Sequence, residues 1–117
     1  MAIAERLRGE RVTLRLAGID DVQALTDLIN SPGVVEWWTP HPYEDVLEGI
    51  AVPDETYVKY CIDLPVDGDT ETVGLVQYGQ ELDPQYFHAS IDIAVLASYH
   101  RCGIATDAIR TLAQHLI

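Results

Sequence analysis

The stretch Tyr99-His100-Arg101-Cys102-Gly103-Ile104-Ala105-Thr106 constrains the chain most, because it joins two segments of different hydrophobic period. Before it, Ile91-Asp92-Ile93-Ala94-Val95-Leu96 is rich in branched apolar residues and reads as a buried strand. After it, Ala105, Ala108, Ile109, Leu112, Ala113 and Leu116 recur at helical spacing. A strand, a loop containing glycine and a helix in that order make an anion site. The first amides of a helix lack intrahelical partners, the helix dipole is positive there, and glycine lets an anion approach the backbone. Glycine also serves tight turns for steric reasons alone, and both readings stay open on these residues.

Upstream, Val12-Thr13-Leu14-Arg15-Leu16 alternates as a half-buried strand. Ile19-Asp20-Asp21 then supplies a capping aspartate for a helix with Val22, Leu25, Leu28 and Ile29 on one face, stopped by Asn30-Ser31-Pro32-Gly33. Val34-Val35-Glu36-Trp37-Trp38 follows, then Thr39-Pro40-His41-Pro42, an extended proline-spaced segment. If the backbone there is extended, successive side chains point to opposite faces, and Trp37 and Trp38 cannot both enter one core. Either one of them lines a cleft or interface, or both pack against flanking helices. Tyr43 to Ala51 suits a short helix broken by Pro53-Asp54-Glu55. Tyr57–Leu64 and Thr72–Gly79 read as a hairpin around Pro65-Val66-Asp67-Gly68-Asp69, and Phe87 to Leu96 returns as a strand after the polar connection Glu81 to Gln85. The expectation is one domain over 1–117, an α+β (α/β layered) fold with a mostly antiparallel sheet flanked by helices.

A length of 117 residues with 48% hydrophobic and 22% charged content suits one globular core. Nineteen acidic against seven basic residues give a formal charge of −12, which argues against nucleic-acid binding and favours either cationic ligands, amines among them, or simple solubility. Cys61 and Cys102 lack any Cys-x-x-Cys or paired histidine spacing, so they read as free thiols of a reducing, cytoplasmic compartment, with no metal site. The amino terminus lacks a signal-peptide core, and no run has the length of a membrane span.

Tyr99 to Ala105 resembles the acetyl-CoA loop of the GNAT superfamily of N-acetyltransferases, written Gln/Arg-x-x-Gly-x-Gly/Ala. His100 stands at the Gln/Arg position, Gly103 at the glycine and Ala105 at the final small residue; Cys102 replaces the usual Gly, Lys or Arg. The flanking Ile-Asp-Ile-Ala-Val and Thr-Asp-Ala-Ile-Arg also resemble that family, and the likeness runs over nearly the whole chain. It implies acetyl-CoA as acetyl donor and a small-molecule or peptide amine as acceptor. It implies that backbone amides of a bulged strand, Ile93, Ala94 and Val95, receive the pantetheine arm and acetyl carbonyl. His100, Arg101, Cys102, Gly103, Ile104, Ala105 and Thr106 receive the pyrophosphate. Members of the family continue past this helix with another strand, another helix and a strand pair. The expectation is therefore that C-terminal elements are missing and that the open strand edge or last helix is covered in a homodimer with weak or no activity. A silent module acting by association is the alternative.

Asp92 is a carboxylate in an apolar strand, a placement that requires exposure, pairing or function. A solvent-facing position alternating with Ile91 and Ile93 is one reading. Another follows from a closer resemblance: Val12 to Leu16, Val35-Glu36-Trp37-Trp38 and Ile91-Asp92 are similar to the bacterial aminoglycoside 6'-N-acetyltransferases of antibiotic resistance. That resemblance makes Asp92 the base for the amine and Trp37 or Trp38 a wall of the drug pocket. Glu36 and the loop Glu81 to Asp83 are candidates for extra negative charge. Relatives acting on protein amino termini, the ribosomal-protein type, or on other small amines share the amino-terminal pattern. None of the six tyrosines matches the family's general acid.

Overall fold

The alternating segments pair edge to edge in chain order. The computed structural model describes residues 4–52, 57–81 and 88–116. Among them, β1 (Arg6–Arg8), β2 (Thr13–Leu16), β3 (Tyr57–Val66), β4 (Asp69–Glu81) and β5 (His88–Val95) form one five-stranded sheet in the order β1-β2-β3-β4-β5, every pair antiparallel. The helices are α1 (Val22–Ile29), α2 (Val35–Trp38), α3 (Tyr43–Ala51) and α4 (Ile104–Leu116), with 3-10 turns at Ile19–Asp21 and Ala97–Tyr99. No helix among the described residues is long and apolar enough to cross a membrane. The expected break at Pro53-Asp54-Glu55, the strand start at Phe87 and the residues Leu82 and Asp83 lie outside the described residues.

The Asp67-Gly68 connection is shorter than the sequence suggests. Val66 pairs with Asp69, and both loop residues have positive φ, 49° and 85°, as a type I′ turn requires. Pro65 therefore sits inside β3. It tolerates that place because β2 pairs no further than Asp63, which leaves no ladder on the side where a prolyl nitrogen lacks its hydrogen.

Pleating divides the core into two layers. Val58, Tyr60 and Ile62 of β3 and Val73, Val76 and Tyr78 of β4 face Ile104, Ala108 and Leu112 of α4. On the opposite face Cys61, Leu75 and Ala94 meet Leu25, Leu28 and Ile29 of α1, with Trp38, Val46 and Ile50 at the margin. Val73 and Val76 share a face because a bulge lies between Ile62 and Asp63: Ile62 pairs with Gly74, whereas Asp63 pairs with Thr72. The bulge expected in β5 is absent there; its register against β4 is unbroken from Val95/Gly74 to His88/Glu81.

Two local expectations are corrected. The Asp21 carboxylate turns backwards, accepting from the Gly18 amide at 2.8 Å and from both terminal nitrogens of Arg15 at 2.9 Å, and does not cap α1. The Arg15 guanidinium holds that carboxyl below its ordinary pKa. The backbone at the tryptophans is not extended: Val35 to Trp38 forms one helical turn, with Trp38 N–H donating to Val34 O at 3.1 Å and Glu36 accepting the Gly33 amide at 2.9 Å just before it. Glu36 is exposed and also braces the chain reversal at Gly33.

Candidate functional site

Strand alternation decides which backbone groups of β5 are available. Leu96 donates its amide to Val73 O at 2.9 Å, so this opposed pair is hydrogen-bonded. Counting back two residues at a time, Ala94 and Asp92 also turn their main chain toward β4, while Val95, Ile93 and Ile91 turn theirs to the outer edge. Two side chains confirm the outward row: Trp38 Nε1–H donates to Ile93 O at 3.1 Å, and His100 Nε2–H donates to Val95 O at 2.7 Å. A ligand arm lying along this edge meets the N–H groups of Ile93 and Val95. Ala94, buried against Leu75, offers it none.

At the end of that edge the chain turns through Ala97–Tyr99, passes Arg101 at φ 62° and Gly103 at φ 79°, and enters α4. The Gly103 conformation is one that a side chain adopts only under strain. The first bond of helical type runs from Asp107 N–H to Gly103 O at 3.0 Å, so the amides of Ile104, Ala105 and Thr106 precede it as orphan donors. Ala105 and Thr106 border a cavity of about 200 Å³ lined also by Val95, Tyr99, His100, Arg101 and Gly103. The Ile104 side chain is buried in the core. The His100 ring is folded back on Val95 O, fastening loop to strand. The Arg11 guanidinium donates to the Cys102 carbonyl from the far end of the chain.

Asp107, one turn into α4, accepts the amides of Glu10, Arg11 and Val12 at 3.1, 2.8 and 2.9 Å. Burial alone raises a carboxyl pKa, but the three donors together outweigh it and hold Asp107 below the ordinary value of 3.8.

The second half of the site lies on the sheet face shared with α1 to α3. Asp92 is exposed there, opposite the buried Gln77. Tyr57 Oη donates to Asp92 Oδ2 at 3.2 Å. Gln77 Nε2 donates to Tyr57 Oη at 2.7 Å and lies 3.4 Å from Asp92 Oδ2. Burial raises the Tyr57 pKa, and the Asp92 charge adds to it, so the phenol stays protonated at neutral pH. Asp92, Gln77, Trp37, Trp38, Thr39 and His41 border an open cavity of about 480 Å³. Trp38 and His41 also border a second cavity of about 170 Å³ beneath Val46 and Ile50. Beside Tyr57 and Lys59, Asp45 and Glu48 rim a third cavity of about 360 Å³. Trp37 is 85% exposed whereas Trp38 is held by its indole bond, so consecutive positions on one helical turn give one outer wall and one anchored wall. Asp92 and Trp38 are thus brought together. Tyr57, Gln77, His41 and Arg11 were not singled out by the sequence.

Residues 11–117 match the sequence model of the acetyltransferase (GNAT) domain, and the chain belongs to that family. Its five-stranded sheet and flanking helices are similar to solved structures of that fold. One is aminoglycoside acetyltransferase AAC(6')-Ib in complex with coenzyme A, at 28% identity and a TM-score of 0.70 over 90% of this chain and 66% of the other. The same enzyme with coenzyme A and kanamycin gives 26% identity and 0.70 over the same shares, 90% and 66%. A GNAT-family acetyltransferase from Bacillus anthracis, 14% identical with a TM-score of 0.70, covers 94% of this chain and 64% of its own and supports the fold alone. The chain thus spans about two thirds of the length of these structures. No curated protein matches it.

Proposed function

We propose that this domain is an acetyl-CoA-dependent N-acetyltransferase whose acceptor is a cationic amine, an aminoglycoside first and a protein amino terminus or other small amine second. The observation that carries the reading is the junction at β5. An outward row of amides ends in a helix-terminal anion loop, and on the face of the same strand Asp92 borders an open cleft walled by Trp37 and Trp38. The chain's residues fit the cofactor by chemistry: orphan amides at Ile104 to Thr106 and the bare Gly103 suit a pyrophosphate, and the outward amides of Ile93 and Val95 suit an amide-bearing arm. When bound, acetyl-CoA supplies the acetyl group as an activated thioester.

Asp92 attracts an ammonium and takes its proton as the amine becomes nucleophilic. Tyr57 and Gln77 orient the carboxylate, since both point hydrogen atoms at Oδ2. Trp37 and Trp38 offer apolar and cation–π surface to an aminosugar, and Asp45 and Glu48 add the charge that a polycation needs. AAC(6')-Ib with coenzyme A and kanamycin is the neighbour that motivates the aminoglycoside and the link to antibiotic resistance. A cytoplasmic location follows from the substrate chemistry proposed.

A panel of acceptors at fixed acetyl-CoA, read by thiol release, tests the reading. Turnover is expected with kanamycin-like polyamines above amino-terminal peptides; a chain that binds acetyl-CoA yet acetylates neither is the silent module. Self-association through the outer edge of β5 uses the same amides as the cofactor arm, so the homodimer is proposed for the cofactor-free state. Light scattering is expected to show a dimer that coenzyme A dissociates, and a monomer under both conditions refutes it.

A further inference from the structure

We propose that Arg11 is a positioning residue of the anion loop, supplying the charge that lets an acidic molecule hold a pyrophosphate there; the inference rests on the cofactor reading above. Arg11 lies between β1 and β2, yet it is fastened to the start of α4 twice. Its amide donates to Asp107 Oδ2 at 2.8 Å, and its guanidinium donates to Cys102 O. The same Nη1 lies 3.4 Å from where a β-carbon on Gly103 would stand, against the residue that leaves room for the anion.

Charge explains why a cation is needed at this point. Asp107 places a buried carboxylate one turn behind the loop, and the neutral amides of Glu10, Arg11 and Val12 satisfy its lone pairs without cancelling its charge. An anion in front of the loop is repelled by that carboxylate and by a chain of formal charge −12. Arg15 is engaged with Asp21 and Asp63 and Lys59 with Gly49 O, while Arg110, 3.8 Å from Glu10, lowers the Asp107 carboxyl pKa by its charge. By holding the Cys102 carbonyl, Arg11 keeps that negative oxygen on itself and sets a positive charge beside Gly103. Arg101, which borders the cavity, is the second cation at the loop.

The test is calorimetric titration of coenzyme A, and separately of inorganic pyrophosphate, into the full chain at several salt concentrations, for wild type, Arg11→Gln and Arg11→Lys, with each melting temperature measured. Arg11→Gln is expected to weaken both ligands about tenfold, the scale of one charge-assisted contact, and to flatten the salt dependence. Arg11→Lys is expected to recover most of the affinity. Unchanged affinity in Arg11→Gln overturns the proposal, as does equal loss in both variants with wild-type salt dependence, which would mark Arg11 as a brace for Cys102 alone. Wild type that binds pyrophosphate but not coenzyme A rejects the cofactor reading while leaving Arg11 measurable. Binding of neither rejects both.

Discussion

Asp92, Gln77 and Tyr57 behave as one polar unit because each is within hydrogen-bond reach of the other two. Asp92→Asn is expected to lower turnover about 10²-fold with little change in acetyl-CoA affinity, the usual size of a general-base contribution. Tyr57→Phe removes a donor to the same oxygen. In a double-mutant cycle on kcat, the pair is expected to lose clearly less than the sum of the two single losses; additive effects would mean that Tyr57 does not act through Asp92. Asp92 was legible because a carboxylate in an apolar strand needs an explanation. Tyr57 and Gln77 were not, since each is an ordinary strand residue until the β4/β5 register sets Gln77 opposite Asp92 and the β3/β4 hairpin brings Tyr57 to Gly79. Arg11 left no signal at all, its partners lying at the other end of the chain.

Among the elements, α4 carries both the loop and the stitch that locks it to the β1–β2 connection. Asp107→Ala leaves the amides of Glu10, Arg11 and Val12 without their acceptor and is expected to lower stability by roughly 2–3 kcal/mol, read by denaturant melting. Because the folded pKa of Asp107 lies below its ordinary 3.8, its stabilisation is complete above about pH 4 and is lost as pH falls through the lowered value. Wild type is therefore expected to lose stability on acidification below pH 4 more steeply than Asp107→Ala; parallel pH curves would contradict the role. Helical periodicity made α1, α3 and α4 readable. The turn at Val35–Trp38 was not, because four residues show no period. β1 was missed because Arg6 and Arg8 flank a single core residue, Leu7, and three residues carry no alternation to count.

For the whole molecule, two helical layers on an antiparallel sheet place the anion loop and the Asp92 cleft on one strand, β5, and the account stands on that strand serving both. The order of elements was readable because the strands pair with their neighbours in sequence. The outward row of amides was not, because which alternate residues face the edge depends on a single bond, Leu96 to Val73. The most direct test is calorimetric titration of acetyl-CoA into wild type and Gly103→Asp. A carboxylate there stands within reach of Arg11 Nη1, takes the cation meant for the ligand and repels phosphate. The account predicts one-to-one binding by wild type and loss of at least about tenfold in Gly103→Asp, in a protein that still melts cooperatively. Equal affinity in the two, or no binding by wild type, would contradict it.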